Sequence, residues 1–120
     1  MINGNVTQFL DTGWYSEATL YYKNHIYWCE GDTDPLTKLS HFWVNRWRVE
    51  QGDCFTYRTV EDDNGDPVDF QNVLSIYGKT LDELKKQFLE APIFEGKTFW
   101  QAEYEIAWLE EGQPIARKKK

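Results

Sequence analysis

The stretch His41-Phe42-Trp43-Val44-Asn45-Arg46-Trp47-Arg48-Val49-Glu50 decides the fold. Successive side chains of a strand point to opposite faces, so His41, Trp43, Asn45, Trp47 and Val49 share one side. Phe42, Val44, Arg46, Arg48 and Glu50 share the other. The stretch therefore reads as a strand, and the segments on either side of it are read by the same rule.

Upstream, Ala18-Thr19-Leu20-Tyr21-Tyr22 and Ile26-Tyr27-Trp28-Cys29-Glu30 flank a polar Lys23-Asn24 turn. β-Branched and aromatic residues on both sides of a short turn read as a hairpin. Gly31-Asp32-Thr33-Asp34-Pro35 then breaks the pattern. Downstream, Cys54 to Glu61 and Val68 to Tyr77 read as two further strands around Asp62-Asp63-Asn64-Gly65-Asp66-Pro67. The Asn-Gly pair predicts a type I′ turn, which needs φ > 0 at both central positions.

Two helices are expected after the strands. Thr80-Leu81-Asp82-Glu83 has capping-box spacing, Leu81, Leu84 and Phe88 form an apolar stripe, and Pro92 ends the helix. Thr98 and Gln101 repeat the cap, and the second helix is expected to run to about Glu111. The fold class that follows is α+β. It has an antiparallel sheet of about five strands, from hairpins 18–30 and 54–77 and strand 41–50, with helices 80–90 and 98–111 packed on one face. A single domain over 1–116 and a basic, disordered tail over 117–120 complete the expected organisation.

Composition limits the function classes. Apolar residues make up 41% and aromatics 17% of the 120 residues, too much for a disordered chain. Net charge is −7; without Arg117-Lys118-Lys119-Lys120 the body holds 9 basic against 20 acidic residues, a net of −11. Nucleic-acid binding by such a body is not expected, because phosphates need basic side chains. The opening Met1-Ile2-Asn3-Gly4-Asn5 has no positive leader or apolar run, and no membrane span is expected. A cytoplasmic setting with two reduced thiols, Cys29 and Cys54, is the expectation.

The sequence offers no catalytic motif, metal site or cofactor site. Counting back from Gly65, an EF-hand would begin at Val60 and end at Gln71 where a Glu is required. His25 and Cys29 share a strand face but lie ~13 Å apart, too far for one ion. A nucleophile pairing either cysteine with His25 or His41 lacks an orienting third group.

Two partner-binding features are expected. Phe99, Ala102, Ile106 and Leu109 make a core stripe on the second helix, leaving Trp100, Tyr104 and Trp108 at four-residue spacing on a neighbouring face as interface anchors. Asp62, Asp63 and Asp66 at the hairpin tip make a negative patch that would steer a basic partner. An alternative ligand set is His25, His41, Arg46 and Arg48, gripping a small anion beside an aromatic ring.

The passage Val73-Leu74-Ser75-Ile76-Tyr77-Gly78-Lys79-Thr80-Leu81-Asp82-Glu83-Leu84 resembles the strand–Gly-x-Thr–helix junction of HicB-type antitoxins. The resemblance covers about a dozen residues and carries no function across, because the rest of the chain lacks that family's pattern.

The leading functional expectation is a small acidic intracellular binding protein, not an enzyme. It would act as an inhibitor, immunity, antitoxin-like or phage-type protein by occupying a partner's site. The alternative is a small-ligand-binding domain or modest enzyme with an aromatic-lined pocket between sheet and helices. A structural protein that oligomerises through an edge strand or the aromatic helix is a third.

Overall fold

The computed structural model describes residues 1–2, 5–15, 17–52, 57–109 and 115–117. Cys54, Glu111 and Lys118 to Lys120 lie outside them. β1 (Ala18–Tyr22) and β2 (His25–Thr33) form the expected hairpin, with Ala18 opposite Cys29 and Tyr22 opposite His25. Lys23 and Asn24 at its turn have φ of 44° and 65°, the paired positive values of a type I′ turn. β2 runs on to Thr33, past the expected break at Gly31. The reversal comes at Asp34, whose N–H and carbonyl bond Leu39 and Lys38.

β3 (Ser40–Gln51) is the long central strand. One edge pairs with β2 over nine residue pairs, from Thr33 opposite Ser40 to His25 opposite Arg48. The other edge is shared. β5 (Gln71–Gly78) pairs with Ser40 to Arg46, and β4 (Tyr57–Thr59) with Val49 to Gln51. Residues 54–77 therefore do not form one long hairpin as expected, because β3 is long enough to take both strands on one edge.

A short hairpin tip remains between β4 and β5. Val68 N–H donates to the Val60 carbonyl, and Glu61 bridges to Pro67. The Asn64-Gly65 turn is not type I′, since Gly65 has φ 82° but Asn64 is not at positive φ. Asp62 organises the turn instead. Its Oδ1 accepts from the N–H of Asn64 and of Asp66, and its carbonyl accepts from Gly65 N–H at 3.0 Å. An Asp side chain bonding its own downstream backbone selects a type I turn with glycine in the left-handed position.

After α1 (Val6–Gln8), which continues as a π-helical segment over Phe9–Gly13, the remaining helices are α2 (Leu81–Glu90) and α3 (Phe99–Ala102). Thr80 Oγ1 caps α2 by accepting Glu83 N–H, and Ala91 before Pro92 is extended, as the residue preceding proline favours. Thr98 and Gln101 form a full capping box on α3.

The second helix stops well before the expected Glu111. The chain leaves α3 through a 3₁₀ turn at Glu103–Glu105 and enters β6 (Ala107–Leu109), which pairs with the free edge of β1. Satisfying that edge with three backbone pairings outweighs a further helical turn. β7 (Ile115–Arg117) pairs parallel with β4, with Arg117 opposite Thr59. Among the described residues the strand order is β6-β1-β2-β3-β4-β7, with β5 also on β3. This is the expected α+β class.

The helices lie on one side of this sheet. Leu84 and Phe88 of α2, Phe99 and Ala102 of α3 and Phe9 pack against Leu20, Tyr22, Tyr27, Cys29, Phe42 and Val44. Phe88 meets Phe42 edge-on at 5.2 Å, and Phe9 stacks on Phe99 at 5.7 Å. Each fully buried ring stabilises the fold by ~1.5–3 kcal/mol relative to exposure.

The sheet's other side has a smaller core at one end: Ile26, Val49, Tyr57, Ala107 and Leu109, flanked by Tyr21 and Trp47. Tyr21 of β1 and Tyr57 of β4 touch with ring centroids 4.5 Å apart. Flat strands three places apart would stand ~14 Å apart. The sheet must curl to bring them together, and the curl closes only that end.

Candidate partner-binding surfaces

Beyond the curled end, no helix among the described residues lies over the outer side of β2, β3 and β5. Cross-strand register sets its side chains in three rows. Asp32 faces His41, which faces Tyr77; Glu30 faces Trp43, which faces Ser75; Trp28 faces Asn45, which faces Asn72. Facing Cβ atoms in such rows lie ~4.5–5.5 Å apart, so neighbouring side chains interact.

Three of these rings, His41, Trp43 and Tyr77, pack on one another. His41 stacks on Tyr77 at 4.2 Å, nearly parallel, and lies 4.6 Å from Trp43. His41 Nε2 is 2.8 Å from Ser75 Oγ, Trp28 Nε1–H donates to Glu30 Oε2, and Asn72 Nδ2 donates to Asn45 Oδ1. These bonds fix ring orientation. Trp28, His41 and Trp43 are partly exposed and Tyr77 is 59% exposed. Clustered exposed rings of this kind mark interaction surfaces more often than single exposed apolar residues do.

The expected ridge of Trp100, Tyr104 and Trp108 is not one surface. Trp100 on α3 and Tyr104 in the 3₁₀ turn are exposed, at 54% and 86%. Trp108 sits on β6 with its indole turned into the main core, 5.3 Å from Phe9. A Cβ on Gly13 would come within 2.6 Å of that indole, so the backbone is tight against it. Trp100 also borders a surface groove of about 450 Å³ with Asp82, Lys85, Lys86, Leu89 and Glu90 of α2. That groove lies outside α2, not between sheet and helices.

Asp62, Asp63 and Asp66 stay together at the hairpin tip and are exposed, with Asp62 engaged in shaping the turn.

The alternative ligand set is divided by the sheet. His41 is on the outer side, while His25, Arg46 and Arg48 share the inner side with Tyr22 and Tyr27. His25 is buried; its Nδ1 is 3.0 Å from the Lys23 carbonyl and its Nε2 3.3 Å from Asp69 Oδ2. Arg48 Nε donates to the same Asp69 oxygen at 3.2 Å. The hydrogen bond to His25, aided by the Arg48 charge, holds the Asp69 carboxyl below the usual carboxylate range.

Arg46 lies over the Tyr27 ring, 5.5 Å from its centroid. Among the described residues the buried Tyr27 hydroxyl and Arg46 Nε have no hydrogen-bond partner. Burial, only partly offset by Arg46, pushes the Tyr27 phenol up to about 12. Cys29 is a free, buried thiol whose ionisation burial also pushes up, which argues against a nucleophile.

The sequence named Trp43 and His41 as sharing a strand face but did not single out Trp28 or Tyr77. The signal that could have found them is the same alternation applied to all three strands in register. Among the described residues no group of three or more His, Cys, Asp or Glu is arranged to hold a metal ion, and no helix is long and apolar enough to cross a membrane. Compared with known proteins, the chain matches no family model, no curated protein and no solved structure.

Proposed function

We propose that the chain is a small acidic binding protein of the cell interior that occupies a site on a partner macromolecule, in the manner of an inhibitor or immunity-type protein. The observation that carries this reading is the outer face of the sheet, where Trp28, His41, Trp43 and Tyr77 lie together with no helix of the described residues over them. Trp and Tyr supply large contact area at low entropic cost and dominate interface energetics. The hydrogen bonds to Glu30 and Ser75 pre-organise the rings, which reduces the ordering cost of association. Asp62, Asp63 and Asp66 at the hairpin tip would add long-range attraction for a basic partner.

Trp100 and Tyr104 form a second, smaller exposed patch on the helical side of the sheet. A partner seated on the outer face would not reach it, so the two patches can be tested separately. A photo-crosslinking benzoyl-phenylalanine replaces Tyr77 in one protein and Tyr104 in another, both expressed in the native host. Tyr77→benzoyl-phenylalanine is expected to give one discrete adduct with another protein, and the Tyr104 replacement none. An adduct only from position 104 would move the site to the helical side. An adduct of twice the chain mass would make the outer face a self-association surface and overturn the reading.

A further inference from the structure

Strand alternation sorts charge across this sheet. Arg46 and Arg48 of β3 fall on the inner side with His25. The outer positions of β2 and β3, from Trp28 to Asp32 and from His41 to Trp47, carry Glu30 and Asp32 and no lysine or arginine. Glu30 stands directly across from Trp43, and Asp32 across from His41 and its stacked Tyr77. Along the described positions of β2 and β3 the outer face therefore offers ring surfaces with carboxylates one strand away and no lysine or arginine.

We infer that this lattice receives an arginine side chain from a basic segment of a protein partner. The inference rests on the binding role proposed above and names the partner's chemistry. A guanidinium is planar and weakly hydrated. It stacks on the face of Trp or Tyr while its N–H fork pairs with a carboxylate. Laid on Trp43, it has Glu30 within reach on the neighbouring strand, and an extended segment running across the strands brings a second basic residue towards Asp32. A lysine ammonium gains the charge term but neither the stacking nor the bidentate pairing. A nucleic acid would use the same rings for base stacking but would set its phosphates against Glu30 and Asp32.

The test is a titration of the ¹⁵N-labelled full chain, read by amide and indole signals, with three probes. These are a glycine-spaced tri-arginine peptide, its tri-lysine counterpart and a short oligothymidine. The arginine peptide is expected to move the Trp28 and Trp43 indole N–H signals saturably, and to bind at least about threefold tighter than the lysine peptide. The double variant Glu30→Gln/Asp32→Asn keeps a hydrogen-bond acceptor for Trp28 and is expected to weaken arginine-peptide binding at least about fivefold. Asp63→Asn/Asp66→Asn at the hairpin tip should change it by less than about twofold.

Shifts centred on the hairpin tip, unchanged binding by the Glu30/Asp32 variant, or an oligothymidine that moves the same indoles would each overturn the inference. If the peptide fails while the Tyr77 adduct still forms, the arginine assignment falls and the binding role stands. If the adduct fails as well, the binding role falls with it.

Discussion

Asp69 illustrates how much one side chain of this molecule does. It sits at φ 59°, a left-handed conformation that Asn tolerates as well as Asp, and its carboxylate ties β2 to β3 through His25 and Arg48. Its carboxyl is held below the usual range. The stability it contributes is therefore present above the unfolded value of ~3.9 and lost as pH falls through the lower folded value. Asp69→Asn should melt below the wild type at pH 7, with the difference closing below pH ~4. An unchanged difference at acid pH would show that the charge is not what acts.

Tyr27 makes the opposite case, because its buried hydroxyl has no partner among the described residues. Tyr27→Phe keeps the ring under Arg46 and removes a desolvation cost of ~1–3 kcal/mol. Thermal melts should show the variant equal to or more stable than the wild type by ~1 kcal/mol. With the phenol pushed up to about 12, its contribution holds below the unfolded value of ~10 and is lost as pH rises through the folded one. The Phe variant should therefore lose less stability in alkali. A loss of more than ~1 kcal/mol at neutral pH would mean the hydroxyl is satisfied.

At the scale of the element, the strands were legible and the last helix was not. Alternation over His41–Glu50 put Phe42 and Val44 on one side of β3 and His41 and Trp43 on the other, because a one-residue slip would have turned Phe42 and Val44 out of the core. Residues 99, 102, 106 and 109 are all buried, as the helical stripe required. Yet the chain reaches that result by a short helix, a 3₁₀ turn and a strand, and apolar spacing alone does not separate the two routes. What decides is the open edge of β1, a tertiary feature that no local window contains.

Trp108 follows from this. On a helix it would be an exposed anchor, whereas on β6 it packs against Phe9 and Gly13. Trp108→Ala should cost ~3 kcal/mol of stability, while Tyr104→Ala should stay within about 0.5 kcal/mol. Equal melting temperatures for the two variants would contradict the strand assignment.

For the molecule as a whole, the arrangement of layers determines which rings are available. Helices cover one side of the sheet and the curl at Tyr21 and Tyr57 closes one end of the other, leaving the Trp28–His41–Trp43–Tyr77 face. The sequence showed that His41 and Trp43 share a side. It did not show that the helices choose the opposite one, since both sides of β3 carry large apolar residues. Trp100, Tyr104 and Trp108 share a local spacing but not a surface.

The most direct measurement is calorimetric titration of the partner captured at Tyr77 with wild type, Trp43→Ala and Trp100→Ala, each first shown to melt cooperatively. A ring at the centre of an interface costs ≥ 2 kcal/mol on truncation, so Trp43→Ala should weaken binding at least ~30-fold. Trp100→Ala should leave it within about twofold. Wild-type affinity in Trp43→Ala, with the loss falling on Trp100→Ala instead, would contradict the assignment of the outer sheet face.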